Sequence, residues 1–220
     1  MTKIIAIANQ KGGVGKTTTA INLSTAMAAI DKKILLVDAD PQGNASTGLG
    51  IEEQQRNPGL YELITSEDFD QNSINKTLIP NLDIISSTHD LAAAEIELAD
   101  MKNREITIKN ILLKIDNYDF ILIDCPPALG LLTINSLVAA QSVIIPMQCE
   151  FFALEGLSAL IGTIEKIKTN FNPNISIEGV VLTMFDKRNS LSGLVEDDVR
   201  GHFKEKVYKT VIPRNVRLSE

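Results

Sequence analysis

The sequence predicts a single domain of the α/β class, in which a mostly parallel, twisted sheet carries helices on both faces. Short apolar runs bounded by turn residues recur along the chain, which is the pattern of strands buried on both faces. Stretches with apolar residues at helical spacing lie between most of these runs. The 220 residues fit one domain of this class with a sizeable core.

The predicted elements alternate between strand and helix along most of the chain. The apolar runs predicted to be strands are 3–8, 33–38, 82–86, 120–124, 142–147, 178–184 and 207–212. The predicted helices are 19–29, 91–101, 107–115, 131–140, 153–170 and 191–203, with a shorter one near 60–64. This alternation favours right-handed crossovers between parallel strands, so ligands are expected at the carboxyl ends of the strands.

The composition predicts a cytoplasmic protein that does not enter a membrane. Hydrophobic residues make up 44% and charged residues 22%, as in an ordinary soluble domain, and no apolar run approaches the ~18 residues of a membrane span. The first residues do not resemble a secretory signal. Cys125 and Cys149 have neither metal-ligand spacing nor the pattern of a disulfide framework, and are expected to be small buried hydrophobes.

The charge is unevenly distributed. The chain as a whole carries −7, which argues against non-specific nucleic-acid affinity for its whole surface. Residues 187–217, however, contain eight basic and four acidic side chains, a net +4, and the remainder therefore carries −11. A local basic face on an acidic protein is possible, although a solvated charged helix would give the same pattern.

A phosphate-binding loop is predicted directly after the first strand. The loop consists of Lys11, Gly12, Gly13, Val14, Gly15, Lys16, Thr17 and Thr18. Its glycines permit positive φ and a close approach of backbone N–H groups to an anion, and the helix that follows adds its positive dipole end. Lys16 is expected to contact the β- and γ-phosphates and the Thr17 hydroxyl to ligate Mg²⁺. The motif departs from the usual one, because Gln10 replaces its first glycine and Lys11 adds a second lysine.

Acidic residues end two of the predicted strands, where the phosphate loop also emerges. Asp38 and Asp40 lie on the same side of their strand, and two such charges need a cation, N–H groups or water between them. One of the two could instead cap the following turn. Asp124 ends the apolar run 120–124 as a Walker B acid would, binding Mg²⁺ through its water shell. The predicted metal residues are Thr17, Asp40 and Asp124.

These motifs together resemble those of the deviant Walker A ATPases of the ParA/Soj type, which have a P-loop NTPase fold and partition chromosomes and plasmids. The resemblance rests on the stretches 11–18, 38–44, 124–127 and 212–220 and spans the whole chain. It implies that ATP and Mg²⁺ are the cofactors and that a homodimer sandwiches the nucleotides. It also implies non-specific DNA binding, nucleoid association and a ParB-type protein that stimulates hydrolysis.

The resemblance implies a role for each motif residue. Lys11 would be the signature lysine that reaches the phosphates of the partner subunit, while Lys16 holds those of its own, Gly12 lies at the dimer contact and Thr18 binds phosphate. Asp40 would position the attacking water. The residues implied to contact adenine are Pro213 and Asn215, and those implied to bind DNA are Arg188, Arg214 and Arg217. Family members usually continue into a final helix that packs on the body, whereas this chain ends at Glu220, so that last segment is expected to be missing.

Three alternatives to a partition ATPase remain open. A MinD-like membrane-positioning ATPase would need a basic amphipathic helix near the end of the chain, but Pro213 interrupts that region. An iron-protein-like reductase component would need cysteines placed to hold a cluster between subunits. A protein that binds nucleotide without turnover is distinguished only by a hydrolysis assay.

Overall fold

The computed structural model describes residues 2–66, 68–150 and 153–215, and its centre is a seven-stranded sheet. The strands are β1 (Lys3–Ile7), β2 (Ile34–Asp38), β3 (Ile74–Lys76), β4 (Leu82–Ile85), β5 (Phe120–Asp124), β6 (Ser142–Gln148) and β7 (Ser176–Thr183). Their order across the sheet is β3-β4-β2-β5-β1-β6-β7. All neighbours pair in parallel except β3, which runs antiparallel to β4 at one edge.

Helices cover both faces of this sheet, which confirms the predicted fold class. The helices of the described residues are α1 (Lys16–Ala28), α2 (Asn44–Gly48), α3 (Leu60–Ser66), α4 (Leu91–Ala99), α5 (Thr107–Leu112), α6 (Leu131–Ala139), α7 (Ala153–Asn170) and α8 (Ser190–Phe203). Short 3₁₀ turns occur at Glu53–Gln55, Gln71–Ser73, Arg104–Ile106 and Lys204–Lys206. One core packs α1 and α2 against the sheet, and a larger core on the opposite face contains side chains from the other six helices.

Burial explains why the central strands form where they do. Every residue of β2 is buried, as expected for a strand covered by helices on both sides. On one face α1 meets the sheet through Ala20 and Ala28, whose small side chains let the helix approach closely. Both cysteines, Cys125 and Cys149, are buried and unbridged, as the sequence predicted.

Six predicted strands are confirmed, with ends that differ by up to two residues, but the prediction for 207–212 is wrong. The backbone N–H of Tyr208 bonds to the Val180 carbonyl and that of Ile212 to the Leu182 carbonyl. A step of four residues along this segment therefore matches a step of only two residues along β7. The segment bulges for this reason, and it forms isolated bridges instead of a continuous strand. The edge strand β3 was not predicted, because three residues are too few to show an alternating pattern.

The register of the sheet sets the position of the functional side chains. In the parallel pairs, Asp124 at the end of β5 lies opposite Ile7 at the end of β1 and Asp38 at the end of β2. The loop after β1 and both acidic strand ends therefore emerge together at one edge.

The end of α6 depends on one buried side chain beyond α7. Asn172 donates from Nδ2 to the carbonyls of Ala140 (2.7 Å) and Val138 (3.1 Å). Asn172→Ala leaves these acceptors without that donor and should lower the free energy of unfolding by about 1–3 kcal/mol. Urea denaturation followed by circular dichroism measures this. The matched control Asn170→Ala, at an exposed site, should change it by less than about 0.5 kcal/mol. Equal effects at the two positions would contradict the capping role.

Candidate functional site

The loop between β1 and α1 has the backbone of an anion-binding turn. Gly13 and Gly15 adopt positive φ values of 72° and 85°, which strain any residue with a Cβ. Gly15 is the N-cap of α1 and provides no side-chain cap, so the start of the helix can accept an anion in that place. The Thr183 hydroxyl donates to the Val14 carbonyl at 2.7 Å and ties the loop to β7.

Lys16, the first residue of α1, lies buried below the loop. Its Nζ donates to the Lys11 carbonyl at 3.1 Å, which curls the loop around the ammonium. Burial lowers the pKa of Lys16, and the charges of Asp124 and Asp40 partly oppose that effect. A buried cation inside a ring of backbone groups is suited to bind an anion that supplies compensating charge.

A cleft of about 520 Å³ opens above Lys16. Its lining brings together most of the predicted site residues. Those that line it are Gly12, Gly13, Gly15, Lys16, Thr17, Thr18, Asp40, Pro213 and Asn215, together with Arg214, which was predicted to bind DNA. Val14 and Asp124 are buried instead of lining the cleft, and Lys11 is also absent from the lining. The predicted adenine residues thus share one cleft with the predicted phosphate residues.

Asp124 is a buried acid at the end of β5. It is fully buried, and neither of its oxygens accepts a hydrogen bond from the described residues. Burial first, and then the charge of Asp38, raise the pKa of Asp124 to about 8, and the nearby Thr17 hydroxyl and Lys16 ammonium offset only part of this rise. Buried polar atoms are rarely left unpaired, so these oxygens fit a hydrated Mg²⁺ that would share them.

Asp38 and Asp40 have different surroundings. Asp38 accepts from the Ser46 backbone N–H and hydroxyl, both at 2.8 Å, so it anchors the start of α2. Asp38 therefore matches the alternative in which one of the two acids caps the turn that follows the strand. Burial raises the pKa of Asp38 to about 6. Among the described residues, the carboxylate of Asp40 accepts only from the Gln42 N–H, at 3.0 Å, and it lines the cleft. Asp40 is therefore the one of the two that is placed to meet a ligand.

Sequence reasoning missed two residues beside the loop. Glu150 follows β6, and its carboxylate forms an ion pair with the Lys11 ammonium. Asn9 follows β1, donates from Nδ2 to the Pro146 carbonyl at 2.7 Å and accepts from the Lys11 N–H at 3.0 Å. An acid just beyond the carboxyl end of a strand was the available signal for Glu150.

Two of the three predicted DNA-binding arginines lie on one surface. Arg188 and Arg214 line a shallow cavity of about 500 Å³ between the loop after β7 and the last described segment. Arg188 binds Asp186 through two contacts, Nη2 to Oδ2 (2.8 Å) and Nε to Oδ1 (3.0 Å). These bonds lower the pKa of Asp186 to about 2, so its negative charge persists beside both arginines. Arg217 lies outside the described residues.

The fold and this cleft define a P-loop NTPase. Within the described ranges, no helix has the length and apolarity needed to cross a membrane.

Comparison with known proteins identifies the family. A family model described as AAA domain matches residues 2–177. The chromosome partitioning protein ParA of Caulobacter vibrioides is 54% identical over 99% of this chain and 83% of its own length. The chromosome-partitioning ATPase Soj of Treponema pallidum is 48% identical over 100% of this chain and 86% of its own. This chain belongs to the ParA/Soj family.

A solved structure agrees with the fold. The cobyrinic acid a,c-diamide synthase from Mycobacterium smegmatis, with bound ATP analog and magnesium, superposes with a TM-score of 0.91 at 35% identity. The superposition covers 98% of this chain and 88% of that chain.

The buried acid should destabilise the protein when no cation is bound. Because the folded-state pKa of Asp124 is raised, the folded state keeps a proton that the unfolded state loses, and stability falls as pH rises from about 4 to 8. In EDTA, Asp124→Asn should exceed the wild type in stability by on the order of 1–3 kcal/mol at pH 8, with a smaller gain at pH 5. Thermal unfolding measures both. The exposed control Asp197→Asn should show no such trend, and a gain that does not depend on pH would contradict this account.

Proposed function

We propose that this protein is a Mg²⁺-dependent ATPase that forms an ATP-sandwich dimer, binds DNA non-specifically and partitions DNA with a ParB-type partner. The observation that carries the proposal is the cleft in which Lys16, Thr17 and Asp40 converge above the buried carboxyl group of Asp124, whose oxygens lack a hydrogen-bond partner in the described part of the chain. Membership of the ParA/Soj family supports the reaction and its biological setting.

The predicted site residues in and beneath the cleft have distinct tasks in the proposed reaction. Lys16 and the N–H groups of the glycine loop bind and orient the phosphates. Thr17, Asp40 and Asp124 would hold Mg²⁺, which would neutralise charge on the phosphate oxygens when bound. Asp40, whose carboxylate accepts a single hydrogen bond from the described part of the chain, lines the cleft and orients the attacking water. Pro213 and Asn215 border the cleft where adenine would lie.

The two lysines of the loop face in different directions, which supports a dimer. Lys16 points into the cleft of its own subunit, whereas Lys11 does not line that cleft. Gly12 is exposed on the loop surface between them, and a Cβ there would meet nothing within 4 Å. The Lys11 ammonium is thus directed away from its own cleft, where it pairs with Glu150, and in the proposed dimer it serves the phosphates of a second subunit, with Gly12 at the contact.

Substitutions in the cleft and in the loop beside it should separate binding, dimerisation and hydrolysis. Lys16→Ala should weaken ATP binding by on the order of 100-fold, because a charge-assisted contact to phosphate is lost. Lys11→Ala should bind ATP as the wild type does and stay monomeric. Asp40→Ala should bind ATP, lose about 100-fold or more in hydrolysis rate, and accumulate as a dimer. Calorimetry, sedimentation with ATP and a phosphate-release assay measure the three steps. A stable ATP dimer of Lys11→Ala would contradict the trans role of Lys11.

DNA binding should be non-specific, should require ATP and should depend on the basic surface around Arg188 and Arg214. If each subunit neutralises about two phosphates, the dimer gives a slope of log K against log salt of roughly −3.6. Arg214→Ala should weaken binding to all sequences alike and flatten that slope by about two units, because each dimer loses two phosphate contacts.

A salt titration of binding to random duplex DNA measures this slope, using the Asp40→Ala dimer as the background. Lys102→Ala, at an exposed site outside the basic surface, is the control with the same change of charge. An unchanged slope for Arg214→Ala, or binding that does not require ATP, would contradict the proposal.

A further inference from the structure

The side chain of Lys11 is held outside its own nucleotide cleft by a partner on another element. Its loop neighbours Gly12 and Gly13 line the cleft, but Lys11 does not. Its backbone carbonyl faces inward and accepts from Lys16 Nζ, while its own Nζ contacts Glu150 Oε2 beyond β6. The residue thus contributes its backbone to one side of the loop and its charge to the other.

The contact between Lys11 and Glu150 is fixed by the backbone on both sides. On the Lys11 side, Asn9 joins the Lys11 N–H to the Pro146 carbonyl, which holds the loop against the end of β6. On the Glu150 side, the backbone of Glu150 donates to the Gln148 carbonyl and accepts from the Ala153 N–H, both at 2.9 Å. The ion pair therefore joins two residues whose own backbones are held by hydrogen bonds.

We propose that Glu150 is a positioning residue that restrains Lys11 in the free subunit and must release it before the ATP dimer can form. This inference rests on the proposed action of Lys11 on a second subunit. It adds a cost to dimerisation, because the ion pair with Glu150 must break first. A carboxylate and the phosphates of a second subunit compete for one ammonium. Dimerisation then exchanges a contact within the subunit for a contact between subunits, once in each half of the dimer.

The expected size of this cost follows from how far the Lys11–Glu150 ion pair is exposed to solvent. The side chains of Lys11 and Glu150 are 37% and 45% exposed, so the pair is only partly shielded from solvent. An ion pair of this kind changes an equilibrium constant by up to about fivefold. Because a symmetric dimer breaks two of them, removing the carboxylate should tighten the dimer by about 2- to 30-fold.

The test is the dissociation constant of the dimer, measured by sedimentation with Mg²⁺ and the non-hydrolysable analogue AMPPNP. Glu150→Gln keeps the shape of the side chain and removes its charge, and should give the tighter dimer. Glu150→Asp should restore most of the wild-type value, since the charge returns on a shorter side chain. The difference between Glu150→Gln and the wild type should shrink as salt is raised, which a purely structural role would not produce.

Glu155→Gln is the matched control. It removes the same charge from an exposed position in the first turn of α7, and within the described ranges Glu155 has no ion pair. This variant should dimerise as the wild type does. A dimer that is weakened or unchanged by Glu150→Gln would overturn the restraint while leaving the proposed function intact. A wild type that stays monomeric with AMPPNP would overturn the trans arrangement, and the restraint with it.

A second measurement needs no nucleotide. Mass spectrometry of the free monomer treated with an amine-acylating reagent reports how readily Lys11 reacts. Glu150→Gln should raise the acylation rate of Lys11 relative to that of Lys32, an exposed lysine after α1. Equal rates in the wild type and the variant would overturn the restraint whatever the oligomeric state.

Discussion

The constraint on which this site depends is the burial of carboxylates at the ends of adjacent parallel strands. Asp124 lies in register with Asp38 across β5 and β2 and with Ile7 across β5 and β1. The same hydrogen bonds that build the sheet therefore place a buried carboxyl group beneath the phosphate loop, and its oxygens have no hydrogen-bond partner within the described residues. Two buried acids so close together disfavour ionisation of each other, and the fold tolerates this arrangement because a ligand can supply the missing positive charge.

The loop above these acids separates two lysines that lie only five residues apart. Lys16 is the first residue of α1 and is buried, where its charge faces the acids and the cleft. Lys11 lies before the glycines and turns toward β6, where Asn9 and Glu150 hold its backbone and its ammonium. The positive φ values of Gly13 and Gly15 make this reversal possible, since a residue with a Cβ would be strained at both positions. The loop thus directs the Lys16 ammonium toward its own cleft and the Lys11 ammonium away from it.

The sequence by itself determined the fold class, six of the strands and most of the cleft. Buried parallel strands give continuous apolar runs, and the glycine loop and strand-end acids are local motifs whose chemistry can be recognised from spacing alone. The parallel topology then predicted that Lys16, Asp40 and Asp124 lie at one edge of the sheet, and the structure places them there.

Only the tertiary structure decided which neighbours share that edge and what each one contacts. The order of strands across the sheet placed Asp38 beside Asp124, but hydrogen bonds to Ser46 gave Asp38 a structural task and left Asp40 facing the cleft. The bulge at 208–212, the pairing of Arg188 with Asp186 and the pairing of Lys11 with Glu150 were likewise settled by contacts between distant or irregular segments. Such contacts leave no period in the sequence, because they depend on where folded elements meet and not on the spacing of residues within one of them.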